Sequence, residues 1–357
     1  MMTRTALLAA LSPLALVLAL SPACSSTPAA EVVDAGPVGS KGPQLGQDGR
    51  ILPPPPGSQE LAFGPVTVAP GVEKTQCITK RLGNDKQLRV NRMQNRLGAA
   101  SHHLIVYRVS NDQPEQPTPV DCDPFSDTLD PTKGSPLMIT QKFEEELALP
   151  KGVAFTLAPN QMIRLEMHYV NASAEPKTLR STSTFIEIPE KEFKDEADFM
   201  FVGNPDIKIP PKSKFTLGPT YLPLPETHEG IHFFAITGHQ HKMGKNVKVE
   251  VTTGKDAPTT KSVYDVKNWV WSEPETVFHD PPFDIPKGGG FRFTCDWENV
   301  SDKQLKFGEK ADDEMCFFWA YYYPSMGPQV CAHSDQPKGG PVDLCCPGDL
   351  RCGFLFN

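Results

Sequence analysis

Apolar residues recur in short runs along the chain after residue 58, many of them alternating with polar residues, and Pro, Gly, Asn and Asp separate these runs. Such runs predict β-strands, whereas the period of an amphipathic helix is rare here. The runs cover residues 61–68, 101–109, 162–170, 183–188, 199–201, 231–237, 246–252, 291–296 and 315–322. One short helix is possible at residues 141–147, which include three consecutive glutamates. The strand spacing predicts an all-β fold of β-sandwiches.

The charged segment 189–198 separates two strand-rich halves, so we expect one sandwich over residues 59–190 and a second over residues 191–333. Residues 334–357 then form a small Cys-rich tail. Residues 25–58 are rich in Pro, Gly, Ala and Ser and hold few large apolar residues, which predicts a semi-extended tether.

Residues 1–24 combine Arg4, an apolar stretch and the ending Ser-Pro-Ala-Cys, which is typical of an export signal. The ending also resembles a bacterial lipoprotein cleavage site, so Cys24 is expected to be lipidated; plain secretion is the alternative. We therefore expect an exported protein of the bacterial envelope, anchored by lipid to the outer membrane and facing the periplasm or the surface. No other apolar stretch reaches the roughly 18 residues of a membrane-spanning helix.

The composition excludes several classes of function. A net charge of -8 without any basic cluster argues against nucleic acid or an anionic membrane surface as a partner. The chain has no phosphate-binding or dinucleotide-binding glycine motif. It has 9 cysteines, and setting Cys24 aside leaves an even number, as expected for disulfides in an exported protein. Cysteine metal ligands are the rival interpretation, but no C-x-x-C pair occurs.

Histidines stand at positions that suit a metal ion. His239 and His241 follow the apolar run 231–236 with one residue between them, so a strand would place both side chains on one face. His102 and His103 are adjacent at the start of a strand, and they could reach one ion only through a local distortion or through different ring nitrogens. His168 ends another strand of the first half.

Met315 offers a possible soft ligand in the second half of the chain. A thioether combined with two imidazoles favours Cu(I), and hence redox-active copper, over zinc. A competing motif is the H-E-x-x-H string from His228 to His232, which in zinc proteases requires an α-helix. The prolines before it and Gly230 within it argue against a helix.

Together these residues carry a family resemblance. The ordered strings HHLIVY, EMHY, HFFAITGHQHKMGK and DDEMCFFWAYYY, the last after FTCDWEN, resemble the copper type II, ascorbate-dependent monooxygenases over roughly residues 60–325. That family includes peptidylglycine α-hydroxylating monooxygenase and dopamine β-monooxygenase. The resemblance implies two tandem jelly-roll β-sandwiches with a copper cleft between them.

The resemblance also implies ligands and roles. His102, His103 and His168 would hold an electron-supplying copper, and His239, His241 and Met315 a second copper at which O₂ and a small organic substrate meet. Two copper ions per chain and ascorbate, or another one-electron reductant, are therefore expected. His232 would lie beside the second site.

The family's disulfides suggest the pairs Cys77–Cys122 and Cys295–Cys316, while Cys331, Cys345, Cys346 and Cys352 would pair within the tail in an order that the sequence leaves open. Two departures concern the substrate pocket. Thr237 stands where the peptide-amidating members have an Arg that holds the substrate carboxylate, and Trp319 stands where they have a Tyr. An altered, more apolar pocket follows, because a guanidinium is the natural holder of a carboxylate.

Three hypotheses follow from the sequence. The first is a copper monooxygenase that hydroxylates a C–H bond of a small organic molecule. The second is a copper-binding or storage protein without turnover on the same scaffold, and the third is an adhesive or structural sandwich without copper. The substrate, the physiological reductant and the oligomeric state are left open by the sequence.

Overall fold

This computed structural model describes residues 50–123, 134–308, 312–347 and 352, and the statements below concern these residues. The expected signal peptide with Cys24, and residues 25–49 of the expected tether, lie outside them. The described part of the chain consists of strands, loops and two short 3₁₀ turns, without an α-helix. No helix in that part is long and apolar enough to cross a bilayer.

The strands of the first half are β1 (Gln59–Val68), β2 (Glu73–Arg81), β3 (Leu88–Arg96), β4 (Ser101–Arg108), β5 (Gln116–Asp121), β6 (Ser135–Thr140), β7 (Glu144–Ala148), β8 (Val153–Leu157), β9 (Met162–Val170), β10 (Lys177–Glu187) and β11 (Asp195–Glu196). One sheet has the order β1-β10-β3-β8-β11, with β7 also paired to β3, and the other has the order β5-β2-β9-β4-β6. The two sheets form the first sandwich.

The strands of the second half are β12 (Asp198–Gly203), β13 (Lys208–Ile209), β14 (Ser213–Pro223), β15 (His232–His239), β16 (Gly244–Thr252), β17 (Thr259–Asp265), β18 (Thr276–Asp284), β19 (Gly290–Asn299), β20 (Leu305–Lys306), β21 (Phe317–Tyr323), β22 (Gln329–Ser334) and β23 (Val342–Cys346). The 3₁₀ turns are Glu190–Glu192 and Glu226–His228. The second sandwich combines a sheet of order β18-β15-β21-β12-β22-β23, called the central sheet below, with a sheet of order β14-β19-β16-β17. A small pair, β13 and β20, lies beside them.

The all-β prediction and the tandem sandwiches are confirmed. The strand pairing places the boundaries of the sandwiches differently from the expected ones. β11 still pairs with β8 of the first sandwich, so the chain passes to the second sandwich between Glu196 and Asp198. β23 is an edge strand of the central sheet, so much of the expected tail, up to Cys346, belongs to the second sandwich.

The central sheet is apolar on both faces. On β21, Phe317, Trp319 and Tyr321 join the core of the first sandwich, whereas Phe318, Ala320 and Tyr322 belong to the core within the second sandwich. Successive side chains of a strand point to opposite faces, so a sheet that is covered on both sides needs an uninterrupted apolar run. This is why the sequence FFWAYYY lacks the usual alternation. The two sandwiches therefore share a core.

A polar cluster also joins the sandwiches. The buried Asp198 carboxylate accepts hydrogen bonds from Ser135 at 3.1 Å and Ser325 at 2.8 Å, and Arg108 lies 3.7 Å from it. Burial raises the pKa of Asp198, and the Arg108 charge and these hydrogen bonds oppose that rise. Because Ser135 and Arg108 belong to the first sandwich and Ser325 to the second, the cluster ties the two together.

Three local findings complete the fold. The expected helix at residues 141–147 is instead strand β7, because Glu144–Ala148 pairs with β3 and long-range pairing overrides a short local preference. The end of the expected tether is docked: Ile51 is buried, and its backbone N–H donates to Glu144. Four disulfides are formed, Cys77–Cys122, Cys295–Cys316, Cys331–Cys345 and Cys346–Cys352, and the first two are the pairs that the resemblance implied.

Candidate metal centres

A β-bulge brings the adjacent histidines of β4 to one site. The pairing of β4 with β9 shifts register between Ser101 and His103, so that His103 lies directly opposite His168 and His102 is the extra residue. Such a bulge lets neighbouring side chains approach the same place, which a regular strand forbids. The distortion that the adjacent pair required is therefore present.

His102, His103 and His168 form the first cluster. One ring nitrogen from each histidine can be chosen so that all three lie within 4.8 Å of one another. The Nδ1 atoms of His102 and His103 are 3.3 Å apart. His168 directs its Nε2 to the Glu73 carboxylate at 3.0 Å, and with the proton on Nε2 its Nδ1 keeps a lone pair. A carboxylate behind a ligating imidazole is the usual way to orient such a ring.

Burial keeps these imidazoles neutral. It lowers the pKa of His102 to about 4, and His168 and His241 lower that pKa further while Glu73 opposes them. Burial and the neighbouring histidines also hold the pKa of His103 well below its usual value. Metals bind the neutral imidazole, so the cluster needs little or no proton release at neutral pH.

The second cluster lies where β15 ends. His239 is the last residue of the strand and His241 stands in the turn that follows, with ring centroids 5.2 Å apart. Gly238 between Thr237 and His239 is required by packing, because a Cβ there would come within 2.7 Å of both Tyr264 and Val247. Burial, followed by the charge of His241, holds the pKa of His239 well below its usual value.

The segment that carries Met315 is bound to this turn through Glu314. The Glu314 carboxylate accepts the backbone N–H groups of His241 at 3.0 Å and Met243 at 2.9 Å, and the Trp297 indole N–H at 2.9 Å. Burial raises the pKa of Glu314 to about 7, and these hydrogen bonds oppose the rise. Met315 is fully buried in the shared core.

His241 has a defined orientation. Its Nδ1 lies 3.0 Å from the Asp313 carbonyl, which can only accept, so the proton is on Nδ1 and the lone pair is on Nε2. Asp313 and Glu314 thus hold two faces of the His241 turn beside Met315.

The two expected pocket residues are cross-strand neighbours next to His239. Thr237 on β15 pairs with Trp319 on β21, and the Trp319 ring centroid is 5.8 Å from that of His239. The Thr237 hydroxyl donates to the Thr276 hydroxyl at 2.9 Å. Phe199 and Phe201 stack against Trp319, so the surroundings are largely apolar.

His232 is not brought to the second cluster. It stands at the opposite end of β15 from His239, where it contacts the Asp284 carboxylate and the Tyr323 ring. This corrects the expectation that His232 lies beside the second site; seven residues along a strand span roughly 23 Å. His228 lies in a 3₁₀ turn and Gly230 has a φ of 81°, so the H-E-x-x-H string has no helix to support it.

The structure adds residues that the sequence did not single out. Trp271, from the loop between β17 and β18 of the second sandwich, packs on His102 with ring centroids 5.4 Å apart. His239 and His241 both lower the pKa of His103, so the two clusters lie close enough to interact electrostatically across the interface. The sequence could not predict the contact of Trp271 with His102, because nothing in the loop around this tryptophan indicates which residues it packs on.

The donor sets fit copper. Three imidazole nitrogens suit Cu, Zn or Ni, whereas two imidazoles with a thioether select the soft ion Cu(I). The first cluster meets the distance requirement for one ion, and its outer carboxylate is present at Glu73.

Comparison with known proteins agrees with this chemistry. Residues 195–339 match the family described as copper type II ascorbate-dependent monooxygenase, C-terminal domain. Among solved structures, the glycosylasparaginase PNGase F from Flavobacterium meningosepticum shares 8% identity over 80% of this chain and 99% of that chain, with a TM-score of 0.34. A protein chain in the structure of Sulfolobus Turreted Icosahedral Virus shares 8% identity over 74% of this chain and 59% of that chain, with a TM-score of 0.17.

Proposed function

We propose that this chain, whose residues 195–339 match the C-terminal domain of the copper type II ascorbate-dependent monooxygenases, hydroxylates a C–H bond of a small organic molecule. The overall reaction consumes O₂, two electrons and two protons, and it yields the alcohol and water. Ascorbate, or another one-electron donor, would supply the electrons. The observation that supports the proposal most is the cluster of His102, His103 and His168, together with the family match of residues 195–339.

The two sets have different roles in this proposal. His102, His103 and His168 would hold the copper that passes electrons, and His239, His241 and Met315 would hold the copper at the reacting C–H bond. Bound copper supplies one-electron redox chemistry and the activation of O₂.

The chain's own residues provide positioning. Glu73 orients His168, and the Asp313 carbonyl orients His241. Glu314 holds the turn of His241 against the Met315 segment. His239, His241 and Trp319 are all buried, which limits the access of water to the proposed second site.

The pocket favours a substrate without a peptide carboxylate. Thr237 uses its hydroxyl as a donor to Thr276, and a Thr–Trp pair has no guanidinium to hold a carboxylate. We expect glycine-extended peptides to be poor substrates. Efficient turnover of such peptides would contradict this part of the proposal.

Copper stoichiometry tests the function. We expect the mature protein to bind two Cu(II) ions with type II EPR signals, and both signals should disappear with ascorbate. His103→Ala should lose one ion and His239→Ala the other, while His279→Ala, a histidine outside both clusters, should lose neither. Zero or one copper in the wild type would refute the two-site proposal. Two coppers without ascorbate-driven O₂ consumption across a broad substrate screen would instead favour copper binding or storage.

We also propose export and lipid attachment, supported by the pattern of residues 1–24. Wild-type protein should fractionate with the bacterial outer membrane, and Cys24→Ser should release it from the membrane. Membrane association that is unchanged in Cys24→Ser would contradict lipidation at this cysteine.

A further inference from the structure

Strand β7 carries three consecutive glutamates that have different partners. Glu144 forms an ion pair with Arg50 at 3.2 Å, and Glu146 forms one with Arg92 at 3.0 Å. Glu145 points to the opposite face of the strand, because successive side chains alternate. Within the described part of the chain no Lys or Arg forms an ion pair with Glu145. Its carboxyl can therefore gain or lose a proton without breaking an ion pair.

Hydroxyl groups bind Glu145 and connect it to the second sandwich. The Thr276 hydroxyl donates to Glu145 Oε1 at 3.1 Å, and the Thr237 hydroxyl donates to the Thr276 hydroxyl at 2.9 Å. Glu145, Thr276 and Thr237 thus form one continuous hydrogen-bonded row, called the hydroxyl chain below. It runs from β7 of the first sandwich across β18 to β15 of the second.

The hydroxyl chain ends beside the second cluster. Thr237 is fully buried, and it lies two residues before His239 on the same face of β15. The Cα atoms of these two residues are therefore about 7 Å apart. His239, His241 and Trp319 are buried as well, so bulk water has limited access to this place. The proposed reaction consumes two protons here, and they need a route through the protein.

A row of hydroxyl groups can carry a proton because each hydroxyl both donates and accepts, and its O–H bond rotates. When Glu145 is ionised, Thr276 and Thr237 turn their hydrogens toward it. When Glu145 is protonated, it can donate to Thr276 and both hydroxyls reverse. Thr237 then presents its O–H to the second cluster.

Glu145 can hold a proton at neutral pH. Burial raises its pKa to about 7, and the charge of Lys142 and the hydrogen bonds from Thr276 and Thr140 oppose that rise. A proton donor is most effective when its pKa lies near the working pH. The residue is half-buried, so one side of it can take a proton from the solvent.

The other titratable groups around Glu145 do not compete for this proton. Burial raises the pKa of Tyr321 on β21 and of Tyr264 on β17, and the charge of Glu145 raises both further. Both phenols stay protonated at neutral pH, because even an ordinary tyrosine has a pKa of about 10. Glu145 is therefore the group in this row that can change its protonation state.

We propose that Glu145 is the proton donor of the second site and passes protons through Thr276 and Thr237 to the oxygen that is reduced there. The inference rests on the proposed function and adds the route of its protons. In each transfer the Glu145 O–H bond breaks, each threonine hydroxyl gains one hydrogen and gives one up, and a new O–H bond forms on the reduced oxygen. Ascorbate, or another one-electron donor, supplies the electrons. The Glu145 carboxylate then takes a proton from the solvent.

Infrared spectroscopy of the copper-free mature protein tests whether Glu145 is the acid. We expect a carbonyl band of a protonated carboxyl that is present at about pH 6, fades as the pH rises through about 7 and is missing in Glu145→Gln. Thr276→Val should shift this band, because the carboxyl loses a hydroxyl partner, and Thr276→Ser should not. Glu144→Gln should keep the band. If no carboxyl band depended on Glu145, the inference would be overturned.

Reoxidation of the reduced, copper-loaded protein tests delivery, with O₂ alone as the probe. Without an organic substrate, O₂ takes up two electrons and two protons to give hydrogen peroxide. Glu145→Gln and Thr276→Val should each slow reoxidation about tenfold or more, whereas Thr276→Ser and Glu144→Gln should stay within about twofold of the wild type. Equal rates in Thr276→Val and Thr276→Ser would refute a route through this hydroxyl.

The pH dependence and the solvent isotope effect separate proton transfer from a purely structural role. The wild-type rate should fall as the pH rises through about 7, because Glu145 loses its proton, and it should be lower in D₂O than in H₂O. Glu145→Gln should lose both dependences. A wild-type rate that is the same in H₂O and D₂O would overturn the inference, even if no variant folded.

The two proposals fail in distinguishable ways, because copper is counted before any rate is measured. Two bound coppers with the same rate, isotope effect and pH dependence in Glu145→Gln and wild type would refute the proton route and leave the enzyme. A wild type that binds no copper would refute the enzyme and the proton route together.

Discussion

At the scale of single residues, burial decides the protonation of the first cluster. The folded pKa of His102 is about 4, against 6.5 for the ordinary side chain. Protons therefore compete with copper at His102 only in acid. We expect the copper affinity of the first cluster to change little between about pH 8 and pH 6 and to fall below about pH 5. Chelator competition, corrected for the titration of the chelator, measures this. A loss of about tenfold or more per pH unit already between pH 8 and 6 would contradict buried, neutral ligands.

The buried carboxyl of Glu145 makes the stability of the folded protein decrease as the pH rises. Burial raises its folded pKa to about 7 from 4.5, so the folded state binds more protons than the unfolded state between these values. The contribution of Glu145 to stability is therefore lost as the pH rises through that window. We expect the melting temperature of Glu145→Gln, relative to wild type, to be higher at about pH 8 than at about pH 5. A pH-independent difference in copper-free protein would contradict the raised pKa.

Glu314 should be a strong determinant of stability. Its carboxylate accepts three hydrogen bonds from donors on two segments, the turn of His241 and Met243 and the strand of Trp297. Glu314→Ala leaves those donors unsatisfied, which predicts a loss of about 3 kcal/mol or more in the free energy of unfolding. Glu314→Gln keeps an acceptor oxygen and should lose less. Urea unfolding at neutral pH measures both, and equal losses would show that the side-chain volume matters more than the hydrogen bonds.

At the scale of elements, the Cys295–Cys316 disulfide joins β19 to the residue after Met315. The double variant Cys295→Ala/Cys316→Ala should lose about 2–5 kcal/mol of stability. It should also lose copper at the second cluster while keeping it at the first. Cys77→Ala/Cys122→Ala is the matched control, because it removes a bridge of the first sandwich and should leave the second copper bound. Copper counts that are the same in both variants would show that the bridge does not position Met315.

Strand prediction succeeded where the strand itself carries an apolar run and failed where pairing alone makes the strand. β4, β9 and β15 have apolar runs that are visible locally. β2 and β7 are rich in charged residues, and they are strands because β9 and β3 supply their hydrogen bonds. The bulge at His102 was predicted in part. The sequence showed that the adjacent histidines could meet at one ion through a local distortion of the strand, and the register shift between Ser101 and His103 is such a distortion.

At the scale of the whole molecule, the shared core predicts a single unfolding event. Phe199, Phe201 and Trp319 of the second sandwich pack in the core of the first. We expect one cooperative calorimetric transition for the copper-free protein. Residues 195–347 produced alone should aggregate, because that face of the central sheet would become a large exposed apolar patch. Two separate transitions, or a soluble monomeric second half, would contradict a shared core.

The sequence by itself determined the all-β class, the parity of the cysteines and the types and order of the histidine and methionine residues that are candidate ligands. These properties follow from local alternation and from side-chain chemistry, which are written in neighbouring residues. The tertiary structure alone decided that His232 lies far from His239, that β7 is a strand, and that Glu145 meets Thr276 across the interface. Such contacts join residues that are far apart in the chain, as Glu145 and Thr276 are, and they depend on how two sheets pack, which no local pattern of residues encodes.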